Sequence, residues 1–416
     1  MKVAIIGSGI SGLAAAYYLH PRHAVTVYES ARWVGGHTNT LRLDLGGRSY
    51  DVDTGFIVYN EVHYPRFTRL LHELGVRSRP TSMSFSVRHD PSGLEYGSAS
   101  LGAFFAQPRN LVRPGFHRLW REIRRFHREA PLLEGVRGDE TTVLEYVEGH
   151  GYRSAFLEQY LVPLGASLWS APPGAFERFP IRFVVEFMEN HNMLQFSGQP
   201  EWRVIEGGSG RYVEALTAGF RDRVHPGRGA VRVHRYPDRV VVVDNSGGRE
   251  RFDHVVLACH ADQTLRLLAD PHPLEREILG AFPYQPNDAV LHTDPGVLPR
   301  RRRAWASWNY HLPSEDPSRV RVTYNMNILQ GLDGPHVLSV TLNDTGDISP
   351  QRVLARLRYE HPVFTKRRRW AQARHGELLG ARRSSFCGAY WGYGFHEDGL
   401  RSGMAVAAAL EARHAA

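Results

Sequence analysis

The spacing of apolar and polar positions changes character several times along the chain, and the earliest change is the most informative. Val3 to Ile6 is a short apolar run, Gly7-Ser8-Gly9-Ile10-Ser11-Gly12 interrupts it, Leu13 to Leu19 supplies helix formers, and Ala24-Val25-Thr26-Val27-Tyr28 resumes an extended pattern ending at Glu29. Apolar runs this short, bounded by glycine, predict buried strands, so the chain opens as strand, turn, helix and strand. From Val62 to Gln199 the pattern is mixed with helical patches. The clearest follows Pro114, where Phe116, Leu119, Trp120, Ile123 and Phe126 recur at helical spacing and Arg118, Arg121, Arg124, Arg125 and Arg128 fill the opposite face. Beyond Val231 the period becomes that of strands, in Val231 to Val233, Val240 to Val243 and, after a Gly247-Gly248 turn, Val255 to Ala258. Strand-like segments at Ala289 to Thr293, Ala304 to Tyr310, Val320 to Asn325 and Val337 to Leu342 predict a second sheet, and Phe386 to Leu410 reads as strand, glycine-rich turn and helix.

Composition narrows the class. A chain of 416 residues has room for two to three globular units, and 42% hydrophobic with 23% charged residues is ordinary for a folded soluble protein. No apolar run reaches the ~18 residues that span a bilayer, and the start enters a strand without a signal-type cleavage region, so a cytoplasmic location is expected. Cys259 and Cys387 are the only cysteines, which excludes a disulfide framework. The 22 histidines form no HExxH pair, so no metal is expected, and no GxSxG elbow points to a hydrolase. His260, His292 and His396 read as structural histidines. The net charge is +8, but only Lys2 and Lys366 among 51 basic residues are lysine, a chain-wide arginine bias that gives no reason to expect nucleic acid. The basic helix after Pro114 and the runs Arg300 to Arg303 and Lys366 to Arg369 read as solvated faces, with peripheral contact to an anionic membrane as the alternative.

Gly7-x-Gly9-x-x-Gly12 lies between a predicted strand and helix, the context that makes this spacing a dinucleotide fingerprint. Gly7 permits the tight turn, Gly9 lets backbone approach a pyrophosphate, and Gly12 lets helix and strand pack closely. Glu29 ends the second strand as an acceptor suited to ribose hydroxyls. Gly35-Gly36-His37-Thr38 and Val52-Asp53-Thr54-Gly55-Phe56 follow in order. With these elements the sequence resembles the flavin-containing amine oxidase and phytoene desaturase superfamily. The resemblance implies noncovalent FAD, held by Gly7, Ser8, Gly9, Ser11, Gly12, Glu29 and Ser30, and by Gly35, Gly36, His37, Thr38, Thr54, Gly55 and Phe56 around the diphosphate and flavin edge. It continues at Ala230-Val231-Arg232-Val233, where Val231 would meet the adenine, and at Phe252 to His260. It resumes near the end, where Gly388, Ala389, His396, Glu397 and Gly399 match the closing motif whose helix N-terminus faces the flavin C2 carbonyl. More narrowly, Gly55 to Asn60, Ala304 to Tyr310 and Gly388 to Gly399 resemble a bacterial group of NAD/FAD-binding oxidoreductases, often encoded beside cyclopropane-fatty-acyl synthase-like methyltransferases.

Two departures refine the expectation. Ala389 stands where the superfamily commonly has an acid, and the region around Asn287 to Val290 lacks the lysine that many amine oxidases place beside flavin N5. The second favours a desaturase or dehydrogenase, which passes a hydride from a carbon of an apolar, lipid-like small molecule to flavin N5, the substrate being for instance a modified fatty-acyl chain. The alternatives are an amine oxidase releasing hydrogen peroxide, a flavin-dependent isomerase, and a non-catalytic lipid-binding module of the same fold. Trp308, Tyr390 and Trp391 are candidate substrate residues, although Tyr390 and Trp391 cannot both face inwards from a regular strand. No catalytic base is identified. The expected architecture is α/β, with a discontinuous Rossmann-like FAD domain at 1–60, 200–270 and 375–416 and an interleaved α+β substrate domain at 61–199 and 271–374.

Overall fold

The structure is a computed structural model that describes residues 1–133, 141–169, 173–190, 193–195, 198, 200–314, 320–344, 346–363 and 365–415. The first strand, Lys2–Ile6, lies at the centre of a five-stranded parallel sheet in the order Val224–His225, Ala24–Tyr28, Lys2–Ile6, His254–Leu257, Ser384–Phe386. Its run of apolar residues is continuous because both faces are covered. Val3 and Ile5 point to one layer, formed by the helices Ile10–Leu19, Gly210–Thr217 and His396–Ala415. Ala4 and Ile6 point to the other, where the antiparallel sheet Ala230–Arg235, Val240–Asp244, Arg249–Phe252 packs through Val233, Val240, Val242 and Phe252.

The second sheet has seven strands in the order Val353–Pro362, Tyr284–His292, Ser339–Leu342, Arg321–Asn325, Trp308–Leu312, Phe85–His89, Leu94–Gly97. The four strands expected between 271 and 374 are present, but the sheet is completed by the unexpected Val353–Pro362 and by two strands from the stretch that reads as mixed and helical. Phe85–His89 pairs in parallel with Trp308–Leu312 across a long sequence separation, which no local pattern announces. A helical layer packs on this sheet. Its helix Pro114–Glu129 follows the predicted periodicity, burying Phe116, Leu119, Ile123 and Phe126 in a core rich in aromatic rings. Among the described residues no helix is long and apolar enough to cross a membrane.

A buried carboxylate links the parts. Asp53 ends the strand Arg48–Asp53 with no exposure. It accepts hydrogen bonds from the Ser209 amide (2.9 Å), the Ser209 hydroxyl (2.7 Å), Thr40 Oγ1 (2.5 Å) and Gln330 Nε2 (2.9 Å), while its own amide donates to Gln330 Oε1 (2.9 Å). Three segments distant in sequence thus converge on one side chain. Burial pushes its carboxyl up to about 6, against the opposing effect of the donors. An acid raised in the folded state stabilises fully below its unfolded value near 3.9, and that contribution is lost as pH rises through the folded value. Asp53→Asn turns an amide towards groups that all donate, so it is expected to destabilise by about 1–3 kcal/mol at neutral pH. Denaturation midpoints measured from pH 4 to 7 should also show a pH-dependent loss in the wild type that the variant lacks.

Candidate functional site

One large cavity, about 1280 Å³, runs from the glycine turn after the first strand to the aromatic core of the helical layer. At one end the helix Ile10–Leu19 begins at Gly9 with no side-chain cap and no acid in its first turn, so its first N–H groups and positive dipole end face the cavity. Three glycines make this approach possible. Gly7 has φ +104° and a Cβ there would lie 2.9 Å from the Ala258 carbonyl oxygen, whereas a Cβ on Gly12 would lie 2.0 Å from the Gly7 carbonyl oxygen. Gly9 differs, because a Cβ on it would meet no protein atom within 4 Å and would enter the cavity.

Glu29 lines the cavity at the end of the second strand. Ser8 donates to its Oε2 through both the amide (2.9 Å) and the hydroxyl (2.6 Å), and the Ala31 amide donates to Oε1 (2.8 Å). The carboxylate is therefore fixed in direction, with lone pairs left over for hydroxyl donors. Ser8 Oγ in turn accepts from the Gly35 amide (3.1 Å), which ties the diglycine to the first turn. The His37 ring stacks on Tyr359 (4.9 Å between centroids), and its Nε2 is buried with no partner. Burial, followed by the neighbouring His361, His260 and His396, holds it well below the usual imidazole range. An uncapped helix start, an open space at Gly9, an oriented carboxylate and an unpartnered imidazole nitrogen make a donor and acceptor set that fits a dinucleotide.

Gly7, Gly9, Ser11, Glu29, Ser30, Gly35, Gly36, His37, Thr54, Gly55, Phe56, Gly388, Ala389 and His396 all line this cavity, as do Trp308 and Tyr390. The remaining expected residues lie just behind it or elsewhere. Ser8, Gly12 and Thr38 stand under the lining, Thr38 bonded to the Tyr212 hydroxyl (2.6 Å), which reaches His396 Nε2 (2.7 Å). Val231 is half exposed while its neighbour Ala230 lines the cavity, as the alternation of a strand requires. Glu397 caps a neighbouring helix, Pro65–Glu73, by accepting from the amides of Arg66 (3.1 Å) and Phe67 (3.0 Å). Gly399 lets the closing helix pack on Ile10 and Ser11. Trp391 is on a tight helical turn, not a strand; it stacks on His375 (4.0 Å), and both it and Tyr390 pack on Phe282 with their own rings 5.0 Å apart.

His396, the first residue of the closing helix, stacks face to face on Phe56 (3.7 Å), and burial pushes its imidazole down to about 3. It is neutral at physiological pH. Sequence patterns missed the strand Val353–Pro362, which brings Tyr359, Glu360 and His361 to the lining. Burial pushes His361 down to about 4, and its Nδ1 meets Asn287 Nδ2 at 2.8 Å. Neither lysine lines the cavity: Lys2 pairs with Glu250 (2.9 Å), and Lys366 lies in the turn before the helix Arg368–Ala373. Among the described residues no group of three His, Cys, Asp or Glu is arranged to hold a metal ion.

Gly9→Val separates ligand space from protein packing. Its Cβ meets no protein atom within 4 Å, so the variant is expected to keep the wild-type denaturation midpoint while losing dinucleotide affinity by tenfold or more, ~1.4 kcal/mol. Equilibrium dialysis of the apoprotein measures the loss.

Comparison with known proteins places this geometry. Residues 10–410 match the family model of flavin-containing amine oxidoreductases. A stretch of 69 residues is 38% identical to a 4,4'-diapophytoene desaturase (4,4'-diaponeurosporene-forming) of Staphylococcus aureus, covering 16% of this chain and 13% of that enzyme. The chain therefore aligns with only a small part of that relative's length. Over whole chains the fold is that of a CLA-producing fatty acid isomerase from P. acnes, with TM-score 0.69, 15% identity, and 98% of this chain and 97% of that one covered. It is equally that of putrescine oxidase bound to putrescine, with TM-score 0.69, 14% identity, and 99% and 100% covered. With the family model spanning nearly the whole chain and the cavity built around a dinucleotide turn, the protein belongs to the flavin-containing amine oxidoreductase family.

Proposed function

We propose that the protein binds FAD noncovalently and oxidises an apolar, lipid-like substrate, such as a modified fatty-acyl chain, by removal of a hydride from carbon. On this reading the segments 1–60, 200–270 and 375–416 form the cofactor part and the intervening segments the substrate part. The observation that carries the proposal is the far arm of the cavity, lined by Phe85, Tyr96, Phe104, Trp120, Tyr160 and Phe187 among other apolar side chains. Among the described lining residues the carboxylates are Glu29 and Glu360. Glu29 is held by Ser8 and Ala31, and Glu360 by His260 Nδ1 (3.1 Å) and Gln263 Nε2 (3.2 Å). An ammonium substrate entering the arm would meet no carboxylate there, and desolvating an unpaired charge is costly. A hydrocarbon chain gains from the same surroundings.

The flavin, when bound, supplies the hydride acceptor. The chain's own residues do the rest. Glu29 takes the ribose hydroxyls, the amides at the start of the helix Ile10–Leu19 take the diphosphate, and His37 offers Nε2 beside them. The aromatic arm excludes water and aligns the chain to be oxidised. His127, which burial pushes down to about 4, adds a polar but neutral contact in that arm. The partial desaturase match and the fatty acid isomerase likeness support a lipid-like substrate, and the putrescine oxidase likeness supports the amine alternative.

Anaerobic mixing of the flavin-loaded protein with lipid extracts and with a panel of simple amines decides between them. Bleaching of the flavin by lipid, with a product lighter by one hydrogen molecule, is the expected outcome. Rapid bleaching by a simple amine overturns it, and a lipid product of unchanged mass identifies an isomerase.

A further inference from the structure

Two basic segments far apart in sequence meet at the open end of the apolar arm. Between Glu95 and Glu122 the chain has no acidic residue, and it carries Arg109, Arg113, Arg118 and Arg121. Within this stretch Leu101 is 79% exposed, Leu111 57% and Val112 80%. Leu101 also lines the cavity, together with Phe104, Phe105, Trp120 and Ile123, so the apolar arm reaches the surface here. The turn Arg302–Ala304 packs against the helix Leu101–Phe104, which brings the run Arg300 to Arg303 to the same rim. Phe104 packs on Phe116 and Trp120, and His117 Nε2 meets the Leu111 carbonyl at 2.7 Å, so the start of the basic helix belongs to it as well.

The charges on this rim are unspent. Arg118, Arg121, Arg124, Arg301 and Arg303 make no side-chain ion pair among the described residues, and all five are exposed. The acids beside them are turned inward: Glu95 accepts from the amides of Arg300 (3.2 Å) and Arg301 (3.1 Å), and Glu122 faces Arg153 (4.0 Å). The other basic run behaves differently. Arg367 pairs with Glu277, Arg369 with Glu186, and Arg368 is buried over the Phe183 ring. That run is consumed by the fold, whereas in the run at the rim Arg300 lies 3.8 Å from Asp90 and Arg302 over the Trp305 ring, and Arg301 and Arg303 are left outward beside exposed leucine and valine.

We infer that this rim is a docking surface for an anionic lipid bilayer, with Leu101, Leu111 and Val112 entering the interface and the arginines resting on lipid phosphates. Exposed apolar tips ringed by positive charge favour a bilayer over an acidic soluble protein, because a bilayer accepts both at one surface. An acyl chain leaving the membrane at Leu101 passes onto Phe104, Phe105 and Ile123 without crossing water. The surface rests on the proposed lipid-like substrate for its purpose, while its evidence is independent of any turnover.

The test is co-sedimentation of the full-length, flavin-loaded protein with vesicles of phosphatidylcholine, with and without about one third phosphatidylglycerol. Binding to the anionic vesicles alone, released by high salt, is expected. Each arginine near such a surface contributes about fivefold to partitioning, so Arg118→Glu with Arg121→Glu, or Arg301→Glu with Arg303→Glu, should weaken it by at least tenfold. Leu111→Ser with Val112→Ser should weaken the binding that survives moderate salt. Arg249→Glu with Arg251→Glu, the same change in net charge on the antiparallel three-stranded sheet, should leave it unaltered. No binding to anionic vesicles, or equal loss in that control pair, overturns the inference, as does salt-sensitive binding to an acidic acyl carrier protein in place of vesicles. Vesicle binding that persists in a protein shown to oxidise amines overturns the substrate proposal and leaves the surface standing.

Discussion

Backbone presses closely on backbone where the two ends of the chain meet. The helix Ile10–Leu19 is pressed between the turn that launches it and the helix that closes the chain. On one side Gly12 leaves no room for a Cβ, which would stand 2.0 Å from the Gly7 carbonyl oxygen. On the other side Gly403 is equally tight, since its Cβ would stand 2.3 Å from the Ser11 carbonyl oxygen. Side chains at these positions would push the helix off the parallel sheet or off its partner. Either shift would move the uncapped helix start that faces the cavity, and with it the part of the site that suits a diphosphate.

From that contact the rest of the cavity is organised by layers of support. Ser8 joins Glu29 to Gly35, so the carboxylate and the diglycine move as one unit. Tyr212 joins Thr38 to His396, the first residue of the closing helix. Asp53 reaches across to Gln330 and so couples the small strand pair beside the site to the region of the seven-stranded sheet. The imidazoles His37, His361 and His396 are all held neutral by burial. The result is a passage whose polarity changes along its length, with oriented dipoles and the held carboxylates of Glu29 and Glu360 away from an arm lined by hydrocarbon.

Local patterns made the glycine turn, the acid after the second strand and the closing helix legible, because each depends on residues a few positions apart. A strand period placed Ala230 and Val231 at the site, but the one-residue alternation of side chains meant that only Ala230 faces the cavity. Glu397 matched a cofactor motif, yet the arrival of the helix Pro65–Glu73 offers its carboxylate two unpaired amides, a stronger claim on a buried charge. Tyr390 and Trp391 could not both face inwards from a regular strand, but they stand on a tight helical turn and both are buried against Phe282. Phe85 and Tyr359 carried no motif, since their place on the cavity wall follows from strand pairings across long sequence separations.

Sequence alone determined the dinucleotide turn, the amphipathic face of the helix after Pro114 and the scarcity of lysine, all properties of single residues or of their spacing. Tertiary structure decided which charges are consumed and which remain. Lys366 to Arg369 and Arg300 to Arg303 look alike as text, but the first faces Glu186, Glu277 and an aromatic ring, and the second leaves Arg301 and Arg303 projecting from a rim where Glu95 points inward. The physical reason is that the free energy of a charge is set by what lies within a few ångströms of it, and those neighbours come from segments the chain brings together only on folding.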